Sequence, residues 1–367
     1  MRARDGGFSL VELMIAMVLG IALVGGAAMV FQGNIRSAEL GQAIATMQAN
    51  ARFALDEIAA DVRAAGFRGC ASVTDTPLGV QMPSPPLDAA SPRASAVFGA
   101  VVDEDGWVPN EPPGYTPPTD RAVPIEGTDA LLVQYAEAPG EPLLGAMSGA
   151  GSALDIAGVV GGLAVGDLAL VSDCAGADLF RIDTRGAGAL GVALSPGRTL
   201  SRGYAPDALH PLGAPRVLPF VSAVYYVGDS GRRTGDGDVI RSLYLQTFPY
   251  GDTDNPPLEL AEGVDQLQLL FGQRDPADGS VRLVRPDDAA YDPERATSVR
   301  IGILMSSLER LDRGGVGRVF ELAGRSVRPE GDTSVADAAF HPDDGRLRIG
   351  FERSVTVRNR ALAGLEP

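Results

Sequence analysis

One carboxylate lies inside an otherwise apolar stretch close to the N-terminus of the chain. Glu12 stands four residues after Phe8, in a run over residues 8–31 that is otherwise interrupted only by Ser9 and small glycines. An ionised carboxylate is costly in hydrocarbon unless a cation pairs with it. The position of Glu12 therefore predicts a functional carboxylate whose chemistry is to pair with an amine or another cation.

The length of this apolar run predicts a membrane-spanning helix. About 24 residues at a rise of about 1.5 Å each reach roughly 36 Å, which exceeds a hydrocarbon core of about 30 Å. A secretory signal peptide would have a shorter apolar core and a cleavage site of small residues after it. A plain single-pass anchor fits the length but leaves Glu12 unexplained. The short Arg-bearing segment before the run should stay cytoplasmic, with the remainder of the chain outside.

The residues around Glu12 resemble the prepilin peptidase motif, because residues 6–13 read GGFSLVEL. The resemblance implies that a leader, residues 1–7, is removed after Gly7 and that the new N-terminal residue, Phe8, is N-methylated. It also implies that Glu12 pairs with the N-terminal amine of a neighbouring subunit during assembly. A pair within one chain remains an alternative, because Phe8 and Glu12 are one helical turn apart.

The helix is expected to continue beyond the membrane. No proline precedes Pro77, and apolar residues recur at spacings of three and four from Ile35 onward. This pattern predicts a transmembrane and assembly helix over residues 8–66, ended by Gly66, with residues 40–62 burying one face on a soluble domain. Five glycines in its first half weaken a helix in water but allow close helix contacts in lipid.

An exported β-rich domain is predicted over residues 67–367. Turn formers become frequent after Gly66, and the later apolar stretches are short. Alternation of apolar and polar residues is clearest at 346–357, where Arg348 falls on the expected wet face. The whole pattern predicts an α+β fold, in which a long N-terminal helix, membrane-embedded in its first half, packs on a β-rich globular domain. The strand-like segments are 96–102, 130–136, 167–172, 179–182, 221–227, 239–248, 267–271, 298–305 and 346–357.

Composition excludes some functions and offers few sites for others. The formal net charge is −16 and every basic residue is an arginine, which argues against nucleic acid as a partner. No catalytic motif is present around His210 or His341, so we expect no enzyme, no cofactor and no metal. The acidic loops 229–238 and 252–255 offer oxygen ligands for Ca²⁺, but a solvated hairpin loop is the favoured interpretation.

Several blocks of the chain stand in this order: IAADVRAAGFRGC at 58–70, DLALVSDC at 167–174, the pair Tyr225 and Tyr226, LELAEGVDQLQLLFG at 258–272 and RSVTVRNR at 353–360. Together these blocks are similar to the PilW family of minor pilins. The two cysteines taken alone form either one disulfide or two unpaired thiols. The resemblance implies a disulfide between Cys70 and Cys174, for which chain entropy gives nearly 5 kcal/mol at a loop of about 100 residues.

The resemblance to PilW implies a minor pilin that helps to initiate type IV pilus assembly, in a priming complex at or near the pilus tip. The implied partners are the membrane, prepilin peptidase, inner-membrane assembly machinery, and other minor pilins and the major pilin through the helix. The implied location is the bacterial inner membrane, with the C-terminal domain periplasmic, and the pilus itself. The sequence departs from the family in the proline-rich stretch before Ala130 and over residues 308–342.

Two other functions remain open from the sequence. A minor pseudopilin of a type II secretion system would share the N-terminal motif and the helix-to-β-domain plan. A membrane-tethered periplasmic enzyme or binding protein would keep its leader as a plain anchor, and Glu12→Ala should then be harmless.

Overall fold

The structure, a computed structural model, has two compact units, Met1–Ala49 and Asn50–Pro367. The predicted leader, including Gly7, and the mature N-terminal residue Phe8 lie outside the residues it describes. Those described are 9–70, 78–81, 96–104, 106–109, 117–118, 121–158, 163–197, 199–206, 214–247, 255–310, 317–332, 334 and 338–361.

The N-terminal helix, α1, spans Leu10–Ala64. Ser9 begins it, since the Leu13 backbone N–H donates to the Ser9 carbonyl oxygen at 3.1 Å. Gly66 follows its last turn in the left-handed region, with φ of 76°, which an L side chain rarely adopts. The long helix predicted from residue spacing is therefore confirmed, with its end at the predicted glycine.

Part of α1 belongs to the second unit and buries one face there. The buried positions recur at helical spacing, as expected for an amphipathic helix on a sheet. Leu40 was expected on this face but is 41% exposed, so the buried face is shorter than the spacing predicted. In the second unit its members are Ala51, Ala54, Leu55, Ile58, Ala59 and Val62.

Twenty-one strands follow in the described residues, with a 3₁₀ turn at Pro293–Arg295 and a short helix, α2, at Arg358–Ala361. The first seven strands are β1 Leu78–Gln81, β2 Val97–Asp103, β3 Gly106–Val108, β4 Val123–Pro124, β5 Asp129–Ala136, β6 Glu141–Pro142 and β7 Leu154–Ile156. The next seven are β8 Leu168–Asp173, β9 Gly176–Arg181, β10 Thr184–Ala187, β11 Val192–Ser195, β12 Arg216–Arg233, β13 Val239–Thr247 and β14 Leu258–Glu262. The last are β15 Val264–Arg274, β16 Val281–Val284, β17 Ala296–Ser306, β18 Phe320–Leu322, β19 Arg325–Pro329, β20 Ala339–His341 and β21 Arg348–Thr356.

An eleven-stranded sheet forms the larger part of the second unit. Its main order is β1-β9-β8-β12-β5-β2-β3, with β13, β4 and β6 also beside β12 and with β14 beside β13. The long strand β12 pairs with β8 through residues 216–219 and with β5 through residues 220–225. One strand thus connects the part of the sheet near the second cysteine to the part that receives the end of α1.

Three smaller sheets complete the fold. A four-stranded sheet has the order β16-β15-β17-β21, and three-stranded sheets have the orders β10-β11-β7 and β18-β19-β20. The four-stranded sheet packs closely on the eleven-stranded one, because Gly99 of β2 has no side chain and a Cβ there would overlap the Phe271 ring of β15. The α+β prediction of a long helix with a β-rich domain is confirmed.

One residue of the last strand contradicts the predicted alternation. Arg348 was expected on the wet face, but it is only 7% exposed. Its guanidinium Nε lies 2.7 Å from Asp265 Oδ2, and its Nη1 lies 2.9 Å from Asp344 Oδ1. Arginine is tolerated at this buried position because it pairs with Asp265 of β15 and with Asp344, four residues before it; both carboxylates also pair with Arg346.

Candidate functional site

The first half of α1 is an exposed apolar surface. Every residue from Ser9 to Gln42 is exposed, and Leu10, for example, retains 76% of its accessible area. By length and composition this helix is sufficient to cross a membrane. Exposure of a large aliphatic side chain to water forgoes roughly 1.5–3 kcal/mol compared with burial. This surface is therefore suited to contact with lipid or with other apolar helices.

Glu12 lies in the first turn of this exposed helix. Its backbone N–H faces the Ser9 hydroxyl oxygen at 3.4 Å, so Ser9 occupies the N-cap position. A carboxylate in the first turn is also favoured by the helix dipole, which is positive at this end. Because Gly7 and Phe8 lie outside the described residues, cleavage, methylation and the pairing of Glu12 stay predictions.

Small residues leave room along the same segment. An added Cβ would meet nothing within 4 Å at Gly20, Gly25, Gly26 or Gly33. The backbone is therefore open to close approach by another helix at these points, as glycines permit in membranes. The geometry fits the predicted assembly role without identifying the neighbour.

The other end of α1 is fixed to the large sheet by one carboxylate. Asp61 accepts hydrogen bonds from the hydroxyl of Tyr135 on β5 at 2.8 Å and from the hydroxyl of Tyr225 on β12 at 2.6 Å. Burial, together with the charge of Asp61, raises the pKa of both phenols well above the ordinary range. Both tyrosines therefore stay neutral donors, and Asp61 acts as a fixed point between helix and sheet.

The C-terminal segment caps the same helix end. Asn359 of α2 donates from Nδ2 to the carbonyl oxygens of Ala64 at 3.2 Å and Ala65 at 3.0 Å. Carbonyl groups in the last turn of a helix lack partners within the helix, so this amide supplies what the helix cannot. Gly66 contributes as well, because its N–H donates to the Gln134 carbonyl oxygen of β5 at 2.8 Å.

A disulfide lies directly after this helix end. Cys70 and Cys174 are bonded, with a Cα–Cα distance of 4.6 Å and a sequence separation of 104. The Ser172 hydroxyl donates to the Arg68 carbonyl oxygen at 2.5 Å, which holds the two chain segments together beside the bond. The disulfide implied by the family resemblance is confirmed, and it joins the segment after α1 to the turn between β8 and β9.

The carboxylates of loop 229–238, which was considered for Ca²⁺, form ion pairs with arginines. Arg233 Nη1 lies 3.0 Å from Asp229, and Arg310 lies 3.4 Å from Asp236 and 3.0 Å from Asp238. Within the described part of the chain, no group of three or more His, Cys, Asp or Glu residues is arranged to hold a metal ion. In the hairpin loop between β12 and β13, Asp229, Asp236 and Asp238 are ion-pair partners of arginines.

Of the two histidines of the chain, His341 lies within the described residues and His210 does not. His341 is buried, and its ring nitrogens each lie 2.9 Å from a backbone carbonyl oxygen, of Pro342 and of Arg318. These contacts fix the ring between two loops and suit a structural role. His210 and residues 252–254 lie outside the described residues.

Comparison with known proteins identifies two parts of the chain. Residues 2–28 match the prokaryotic N-terminal methylation motif, and residues 224–359 match Type IV Pilus-assembly protein W. This confirms the resemblance to the PilW family. The PilW match begins inside β12 and ends at Asn359, so it includes the four-stranded sheet and the helix-capping amide. The two matches together support a type IV pilin-like subunit, and such families are structural.

Other comparisons add little. No curated protein matches the chain. Among solved structures, a type IV-like pilin from Thermus thermophilus matches at 18% identity, covering 39% of this chain and 79% of that chain, with a TM-score of 0.17. A TM-score of this size supports no conclusion about the fold, which rests here on the described elements themselves.

Two residues of this site were not singled out from sequence. Asp61 and Asn359 both stood inside blocks that resemble PilW, but neither carried a motif of its own. For Asp61 a signal was available, because a carboxylate close to the apolar face of an amphipathic helix needs a partner. For Asn359 no local signal exists, since its acceptors are about 295 residues away in sequence.

Proposed function

We propose that this protein is a minor pilin that takes part in initiating type IV pilus assembly, together with other minor pilins. It is processed after Gly7 by a prepilin peptidase and N-methylated at Phe8. It then rests in the inner membrane as a single-pass protein with its β-rich domain on the periplasmic side. The observation that carries the proposal is an exposed apolar helix with Glu12 in its first turn, behind a matched methylation motif.

The two ends of the helix have different roles, one in assembly and one in attachment to the β-rich domain. Its first half contacts lipid or other pilin helices through an apolar surface that contains small residues, and Glu12 pairs with the N-terminal amine of a neighbouring subunit. In hydrocarbon each ion costs several kcal/mol when unpaired, so pairing favours insertion beside another subunit at a fixed axial register. At the other end Asp61, Asn359 and the disulfide hold the last turns of the helix and the segment after it on the β-rich domain.

The variant Glu12→Ala tests the assembly role. We expect the variant to remain in the membrane fraction, since removal of a charge makes the apolar run more hydrophobic. We also expect it to give fewer than a tenth of the wild-type number of surface pili. A tenfold loss corresponds to about 1.4 kcal/mol in an assembly equilibrium. Pili are counted by electron microscopy after complementation of a deletion strain. Glu39→Ala is the matched control, because Glu39 is an exposed carboxylate of the same helix beyond the apolar run.

Two results would contradict the proposal. Normal piliation by Glu12→Ala would remove the register role of Glu12. An N-terminal peptide that starts at Met1, found by mass spectrometry of protein isolated from its native membrane, would show a plain anchor in place of a processed pilin. A peptide starting at N-methylated Phe8 is the expected result.

A minor pseudopilin of a type II secretion system remains the second candidate, because the methylation motif is common to both classes. The PilW match over residues 224–359 favours the pilus. Deletion of the gene distinguishes them, since loss of pili and twitching supports the pilus, whereas loss of protein secretion with normal pili supports the secretion system.

A further inference from the structure

A buried carboxylate lies where three sheets of the second unit meet. Asp129 begins β5 of the eleven-stranded sheet and is 1% exposed. Its Oδ2 accepts a hydrogen bond from the backbone N–H of Leu269, on β15 of the four-stranded sheet, at 2.6 Å. Arg325, on β19 of a third sheet, places Nη1 at 3.9 Å from Asp129 Oδ1. One side chain thus contacts or faces all three sheets.

The negative charge of Asp129 is only partly compensated in this place. Among the described residues, Asp129 Oδ1 is buried and receives no hydrogen bond. The cation that faces it, Arg325, also faces Asp287, with Nη2 at 4.0 Å from that carboxylate, and Asp287 is held in addition by Arg285 Nε at 3.1 Å. An ionised carboxylate is disfavoured in such a setting, because attraction to a distant and shared cation does not replace lost hydration.

A further titratable group near this point, among the described residues, is a phenol. The Tyr291 hydroxyl accepts a hydrogen bond from the Gly99 N–H at 2.6 Å, and burial raises the pKa of Tyr291 well above its ordinary range. Tyr291 is therefore neutral at physiological pH and adds no second negative charge beside Asp129. For Asp129 itself, burial raises the pKa to about 7, against the opposing effects of Arg325 and the Leu269 N–H.

We propose that Asp129 is a proton-dependent joint between the eleven-stranded and four-stranded sheets. When it carries a proton, β5 and β15 stay joined at low cost. When it loses the proton, a poorly compensated charge is buried between them and the joint weakens. The four-stranded sheet lies within the PilW match from β15 to β21, so this joint determines how firmly that part of the protein is held to the sheet that carries the end of α1.

The direction with pH follows from the two states of the chain. The pKa of Asp129 is higher in the folded protein than in the unfolded chain, where an aspartate titrates near 3.8. The stabilising contribution is therefore complete below about 4 and is lost as pH rises toward about 7. From pH 5 to pH 8 the unfolding equilibrium constant should rise about a hundredfold through this group alone.

Urea unfolding of the full-length protein in detergent micelles tests the proposal. The single tryptophan, Trp107, is buried in the second unit and reports unfolding by its fluorescence. We expect the wild type to show the rise between pH 5 and pH 8 and Asp129→Asn to lose most of it, since an amide keeps an acceptor for Leu269 without a titrating charge. Asp183→Asn, at an exposed aspartate, is the matched control and should keep the wild-type dependence.

Two further readouts keep the test decisive if Asp129→Asn folds poorly. Arg325→Gln removes the facing cation, so the pH range over which stability is lost should move upward. Hydrogen exchange at pH 8 should be faster in wild-type peptides that contain Leu269 than in the same peptides of Asp129→Asn. An unchanged pH dependence in Asp129→Asn, or no upward movement in Arg325→Gln, would overturn the proposal.

Discussion

At the scale of single residues, the protein relies on a few buried charges that each connect distant parts of the chain. Asp61 joins α1 to two strands, and Asp265 joins β15 to Arg348 of β21. Such groups are costly to bury without partners, so their environment has to supply donors with good geometry. Each is therefore a place where one substitution has a large and local effect.

Tyr225→Phe tests the attachment of α1 by Asp61. The variant removes the shorter of the two hydroxyl donors to that carboxylate, and a hydrogen bond to a charged group contributes about 1.5–3 kcal/mol. We expect a loss of that size in the free energy of unfolding, measured by urea unfolding of the full-length protein in micelles. Tyr244→Phe removes a phenolic hydroxyl outside this cluster and should cost much less. Equal losses in the two variants would refute the role of Asp61.

At the scale of elements, the end of α1 is defined by residues far from it in sequence. Gly66 allows the chain to leave the helix. Its N–H donates to the Gln134 carbonyl oxygen, and the Asn359 amide donates to the carbonyl groups of the last turn. The helix end therefore depends on β5 and α2, which form only when the domain is assembled. This coupling explains how a helix with one exposed half is held firmly at its other half.

Asn359→Ala tests this coupling. The variant leaves the carbonyl groups of Ala64 and Ala65 without the amide donor, at a cost of about 1–2 kcal/mol. We expect faster hydrogen exchange, measured by mass spectrometry, in peptides over residues 58–66. Asn255→Ala is the control, because the Asn255 amide donates to the Thr247 carbonyl oxygen at the end of β13 and should not affect α1. Unchanged exchange at the helix end would show that Gly66 alone suffices.

At the scale of the whole molecule, the disulfide restricts the unfolded chain more than it shapes the folded one. Asp61 and Asn359 already hold the end of α1, whereas the Cys70–Cys174 bond closes a loop over a separation of 104 residues. In the chain-entropy model a loop of that length contributes nearly 5 kcal/mol, mainly by limiting the conformations of the unfolded chain. Disulfides persist in oxidising compartments, so the bond agrees with the periplasmic location proposed for the domain.

Cys70→Ser combined with Cys174→Ser is expected to lower the free energy of unfolding by up to about 5 kcal/mol while leaving the far-ultraviolet circular dichroism of the folded state unchanged. Urea unfolding in micelles measures the first quantity. Wild-type protein kept under reducing agent serves as the comparison and should behave in the same way. A change below about 1 kcal/mol would mean that the unfolded chain is already restricted by other contacts.

The sequence by itself determined the features that depend on neighbouring residues. The apolar run with Glu12, the helix over most of its predicted length and its end at Gly66 follow from periodicity and turn chemistry. The same signals predicted nine of the strands, namely β2, β5, β8, β9, β12, β13, β15, β17 and β21, whereas short strands such as β18 to β20 were not predicted. The disulfide came from the family resemblance, because two cysteines alone leave pairing open. The tertiary structure decided the rest, namely the burial of Arg348, the hydrogen bonds of Asp61 to two tyrosines, and the exposure of Leu40 on α1. These depend on which distant strands become neighbours, and no local pattern encodes the partner of a charge that lies far away along the chain.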